Sequence, residues 1–178
     1  MMKNITQSKK AIKWIVYSLL IFFTFIFQTT FGASMRVRSV IPDMLLSLVL
    51  CVAMFEGIGG GIAAALSAGV LIDFCASYFV GFNMLFLTLI CVVIGYVSKE
   101  FLKQNMANAV IFGFAAAFIY NAIFFFFHVV VFNAPKTSAS GWFAVLAEAV
   151  LTTACIPLSY AAVKFIYVRA LKENEEFE

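Results

Sequence analysis

Gly57-Ile58-Gly59-Gly60-Gly61-Ile62-Ala63-Ala64-Ala65-Leu66-Ser67-Ala68-Gly69-Val70-Leu71-Ile72-Asp73 is an apolar run in which Gly57, Gly61, Ala65 and Gly69 recur every four residues and lead to a carboxylate. On a helix this spacing keeps small residues near one side, where a neighbouring backbone approaches closely even though lipid supplies no hydrophobic drive. Each step of four overshoots a turn by about 40°, so the row drifts around the helix instead of forming a straight seam. Gly60, Ala64 and Ala68 widen the same small surface. The run predicts a closely packed membrane helix that ends in a functional charge at Asp73.

The rest of the chain carries the same signature. Hydrophobic residues make up 64% and charged residues 12% of the 178 positions, in long apolar blocks that lack the patterning of a water-facing surface. The expected fold is an all-α, polytopic membrane bundle, with a basic segment over 1–13, one transmembrane domain over 14–165 and a charged tail over 166–178. The basic residues stand mostly beside the ends of apolar blocks, which reads as orientation of spans and argues against nucleic-acid binding. Cys51, Cys75, Cys91 and Cys155 match neither zinc spacing nor a disulfide framework and read as small apolar residues.

Hydropathy divides the chain into spans. Trp14 to Phe31 is longer than the apolar core of a signal peptide and reads as a retained first span. Residues 40–74 would reach about 52 Å as one helix, short of the roughly 60 Å that two full crossings use. Two short spans are expected there, at 40–56 and 58–74, with Glu56 reaching interfacial water at a glycine-rich turn. Further spans follow at 81–97, 107–131 and 142–163, with a polar loop over 98–108 and a frayed end from Glu173. With both termini in the cytoplasm, Lys3, Lys9, Lys10, Lys13, Lys99, Lys103, Lys164, Arg169 and Lys172 lie inside, and only Arg36, Arg38 and Lys136 outside. That orientation requires an even number of crossings, four or six, and six is the expectation.

Ionisable residues inside a membrane need partners or water. Asp73, His128 and Glu148 fall toward the outer face, and Asn121 lies seven residues before His128 on the same helix face. Glu148 with His128 is the expected pair, while Arg36 or Arg38 is placed to meet Asp73. Asn121, His128 and Glu148 therefore form the candidate intramembrane polar cluster. Gly57, Gly61, Ala65, Gly69, Asp73 and Gly81 form the candidate packing or partner surface. Catalytic, metal and phosphate-binding motifs are lacking in the sequence, so no enzyme activity and no cofactor are expected.

Pro42 opening an apolar span, the glycine-rich turn, Gly69-Val70-Leu71-Ile72-Asp73, then Gly81 and Gly95-Tyr96 together resemble the rod shape-determining protein MreD family over about residues 40–100. The other spans match it only in hydrophobicity. The resemblance implies a multi-pass protein of the bacterial cytoplasmic (inner) membrane that helps organise lateral peptidoglycan synthesis and cell shape. Its implied partners are a single-span MreC-like protein and, through it, an actin-like MreB filament and the wall-synthesis enzymes. The family is similar in fold to the substrate-binding membrane subunits of energy-coupling-factor vitamin transporters, which is the alternative reading. Those subunits carry an Ala-x-x-x-Ala step in their first span, whereas here the step is Ala64 to Ala68 and the first span has none.

Overall fold

The computed structural model describes residues 2–31, 42–76, 81–101, 105–131 and 140–175. Among them the chain is entirely helical: α1 (Met2–Phe31), α2 (Met44–Ala76), α3 (Phe82–Phe101), α4 (Met106–Val131) and α5 (Ser140–Glu175). Four of these, all but α3, are long and apolar enough to cross a membrane. α3 carries a shorter apolar stretch, Phe82–Ser98.

The helices outrun the apolar blocks. α1 begins at Met2, so the basic segment forms its first turns, and α3 extends to Phe101 into the expected polar loop. α5 continues to Glu175, which corrects the expectation of an end frayed from Glu173. Hydropathy marks where lipid begins, whereas Ala, Leu, Lys and Glu sustain a helix in water as well.

α2 is broken at Gly57, whose φ of 74° and ψ of −164° are non-helical. The arms on either side fold back on each other. Ala53 and Gly61 would be about 12 Å apart along a straight helix, yet a Cβ built on Gly61 falls 3.1 Å from the Cα of Ala53. The positive φ disfavours any residue with a Cβ, so glycine is what permits the reversal. The first arm, Met44–Glu56, is about 20 Å long and the second, Ile58–Ala76, about 28 Å.

The first arm is the centre of the molecule. Every residue from Leu45 to Phe55 is buried, as expected of a helix that is apolar all round. α1 runs antiparallel beside it: Tyr17 reaches Glu56 at one end and Gln28 reaches Asp43 and Leu45 at the other. α5 runs parallel to it, with Thr152 beside Asp43, Ser159 beside Ser47, and Tyr160 and Tyr167 beside Phe55. The second arm is two-sided: Gly60, Gly61, Ala64, Ala65, Ala68, Gly69 and Asp73 face inward, while Ala63, Leu66, Ser67, Val70 and Phe74 face outward. The most enclosed helix is therefore the first arm, and the small-residue run is its neighbour.

Candidate functional site

The second arm and α3 form a close antiparallel pair through glycine. A Cβ on Gly69 would meet the backbone of Met84, lying 2.8 Å from its nitrogen and closer to its Cα. A Cβ on Gly61 would stand 3.4 Å from the carbonyl oxygen of Cys91, and one on Gly95 would stand 3.0 Å from the Cα of Ile58. Ala65 is fully buried between Gly61 and Gly69. Gly57 and Gly81 are different. Neither would bring a Cβ within 4 Å of anything, and both have positive φ. They turn the chain and are not rungs of the packing surface.

Asp73 stands at the head of this pair, 5% exposed. Its carboxylate accepts hydrogen bonds from the backbone nitrogens of Gly81 at 2.9 Å, Asn83 at 3.2 Å and Met84 at 3.2 Å, and from Asn83 Nδ2 at 2.9 Å. These donors belong to the first turn of α3, whose opening amides have no acceptor within the helix. Asp73 thus caps α3 from the end of α2, and its negative charge complements the positive end of the α3 dipole. Of the packing and partner contacts expected of Asp73, the structure shows packing against its own chain, at the start of α3. Arg36 and Arg38, the expected partners, lie outside the described residues.

The network continues inward. Asn83 Oδ1 accepts a 2.6 Å hydrogen bond from the Tyr120 hydroxyl, so α2, α3 and α4 are tied by the chain Asp73–Asn83–Tyr120. Asp43 also caps its own helix, accepting from the Leu46 nitrogen at 3.0 Å, while its nitrogen donates to Thr152 at 3.0 Å.

The expected cluster of Asn121, His128 and Glu148 falls only partly within the described side chains. Gly113 abuts Ile156, and Phe125 packs on Trp142. This antiparallel register of α4 and α5 sets Asn121 level with Glu148, while His128 falls level with the start of α5. The His128 side chain lies outside the described residues, and so does its expected pairing with Glu148. Asn121 is 6% exposed, and its Nδ2 has no hydrogen-bond partner among the described residues. The hydrogen bond across helices comes instead from its neighbour Tyr120.

At the opposite end, Lys13 Nζ lies 2.6 Å from Glu56 Oε2, and the Tyr17 hydroxyl donates to Glu56 Oε1 at 2.8 Å. Glu56 was expected to reach water. Only 10% of its side chain is exposed, and α1 supplies both partners. The pair clamps α1 beside the Gly57 reversal, where the Trp14 ring also lies 3.3 Å from a Cβ built on Gly60.

Sequence reasoning missed Asn83 and Tyr120 as network members, Lys13 and Tyr17 as partners of Glu56, and the Asp43–Gln28–Thr152 contacts. A lone Asn near a helix start, ten residues after an Asp, was the available signal for the first of these. Among the described residues no group of His, Cys, Asp and Glu forms a metal site, and all four cysteines are free. No known protein family, curated protein or solved structure matches the chain.

Proposed function

We propose that the protein is a non-enzymatic scaffold of the bacterial inner membrane, of the MreD kind, that holds partner membrane proteins of the cell-elongation machinery. In this reading the two arms of α2 each cross the bilayer, giving six crossings with both termini in the cytoplasm. The short first arm crosses within the protein, shielded from lipid.

One observation carries the reading. Most of the residues that resemble the MreD family meet at one structural element. Gly69 and Gly95 make the close approaches of α2 and α3, and Asp73 caps α3 through the Gly81 amide. Pro42 stands apart, directly before Asp43, the cap of the first arm. The resemblance therefore rests mainly on residues that shape the hairpin of the second arm and α3. Tyr96 differs from the others. Its side chain is 55% exposed on α3, which leaves it free to meet a partner helix or the interfacial region of the bilayer.

Depletion in a rod-shaped host tests the function directly: rounding and swelling are expected, and unchanged cell width refutes it. Co-purification with a single-span MreC-like protein tests the contact. Tyr96→Ala is expected to lower capture severalfold with stability unchanged, and undiminished capture removes Tyr96 from the interface. Cysteine accessibility is expected to place Ser140 outside and Arg169 inside. The reverse pattern refutes the orientation.

A further inference from the structure

α3 is the shortest of the described helices. Its apolar stretch, Phe82–Ser98, covers 17 residues, about 25 Å against the roughly 30 Å of a bilayer core. In the sequence Lys99 and Glu100 follow it directly. The helix cannot make up the difference by moving. Tilting only shortens its reach across the bilayer, and sliding is blocked, because the approaches of Gly69 to Met84, Gly61 to Cys91 and Gly95 to Ile58 fix its register on the second arm of α2. That arm is no longer: its uncharged stretch between Glu56 and Asp73, Ile58 to Ile72, reaches about 22 Å.

The other flank is built differently. α4 and α5 carry spans of 22 and 30 residues, Met106–Phe127 and Gly141–Ala170, about 33 and 45 Å long. Mismatch is therefore confined to the side of the bundle where α3 lies. The surface there is apolar and open: Leu85, Leu89 and Val93 follow one another by four residues and are 58%, 56% and 52% exposed, which sets them on one face. Hydrocarbon has to cover that face, and beside a short span that is locked in place the bilayer thins locally. Acyl chains that are already short reach the reduced thickness with less compression than long ones.

We propose that the flank formed by α3 and the second arm of α2 thins the bilayer beside it and gathers phospholipids of short acyl chain. The surface selects by chain length and is indifferent to the headgroup. It rests on the reading above that α3 and this arm cross the bilayer, and it does not depend on the scaffold role.

The test uses full-length protein, with Cys51, Cys75, Cys91 and Cys155 replaced by alanine, in nanodiscs of equal 14-carbon and 18-carbon monounsaturated phosphatidylcholine. Bimane is attached at Val93→Cys on α3 or, as the reference, at Val150→Cys on α5, where the native side chain is 56% exposed. Quenching is read with one lipid or the other dibrominated. At Val93 the 14-carbon lipid is expected to be enriched at least threefold, and at Val150 the two are expected to quench in proportion to their abundance. Lys99→Leu with Glu100→Leu joins Phe82–Ser98 to Phe101 and Leu102 in an apolar run of about 31 Å, and is expected to bring the ratio at Val93 to that at Val150. Equal ratios at the two sites before lengthening overturn the proposal and leave the crossing standing, and enrichment that survives the lengthening does the same. Quenching by neither lipid at Val93 overturns the proposal together with the α3 crossing. If the cysteine-free protein does not fold, the unlabelled protein reads the same preference: its thermal midpoint is expected to peak at shorter chains than that of the lengthened variant, and coincident peaks overturn the proposal.

Discussion

Gly69→Ala adds one carbon where α2 and α3 come closest. Its Cβ would lie 2.8 Å from the Met84 nitrogen and nearer still to the Met84 Cα, whereas carbon atoms rest about 3.5–4.0 Å apart. The obstacle is backbone, so no rotamer relieves it, and the two helices must part locally by on the order of 1 Å. Overpacking of this kind costs about 1–3 kcal/mol. Replacing glycine by alanine within a helix returns up to about 1 kcal/mol. With the full helix gain subtracted, the net loss is at most about 2 kcal/mol, a shift of up to roughly 30-fold in the folding equilibrium. Gly59→Ala is the matched control: nothing lies within 4 Å of its built Cβ, so only the helix gain of up to about 1 kcal/mol remains. Sodium dodecyl sulfate titration in mixed micelles, followed by tryptophan fluorescence, compares the two. If Gly69→Ala unfolds at the same detergent fraction as Gly59→Ala, the glycine contact between α2 and α3 is not what the structure implies.

Asp73→Ala leaves the opening amides of α3 without their acceptor and is expected to cost about 2–4 kcal/mol, the sum of a lost cap and buried unsatisfied donors. Hydrogen exchange at Gly81 to Met84 should accelerate, Asp73→Asn should fall between the two proteins, and unchanged exchange refutes the cap. For Lys13 and Glu56, either Lys13→Met or Glu56→Gln alone strands a mostly buried partner, so a double-mutant cycle should show coupling of about 1–3 kcal/mol; strictly additive losses count against the clamp. Gly57→Ala and Gly57→Asn are each expected to destabilise by about 1–3 kcal/mol, because the combination of φ 74° and ψ −164° is one that essentially only glycine occupies, and the tolerance of Asn for the left-handed helical region does not extend to it. Either variant as stable as the parent protein in the same titration rejects backbone strain at the reversal.

The parts of this fold legible from sequence are those that depend on neighbours in the chain. Long apolar blocks placed the helices, and the cluster from Gly57 to Gly61 placed the reversal within a residue of Glu56. The four-residue spacing found the packed face, because helical periodicity is a local property. What stayed hidden depends on how helices are arranged. Asp73 reads as a charge at a helix end, and its role as acceptor for the α3 amides emerges only once α3 is seen to begin beside it. Lys13 and Glu56 are 43 residues apart, and nothing in either segment announces the other. The level of Glu148 is likewise set by the offset between α4 and α5, which hydropathy leaves undetermined and which brings Asn121 opposite it.

The enclosed first arm of α2 also dictates an order of assembly. It leaves the ribosome early, yet part of its surroundings is α5, where Thr152 receives the Asp43 amide from 109 residues away. Until α5 has been synthesised and inserted, one flank of that arm faces lipid or the insertion machinery. The bundle therefore closes only after α5 has been inserted. A chain truncated before Ser140 retains the glycine-laced hairpin but lacks the wall that seals its middle.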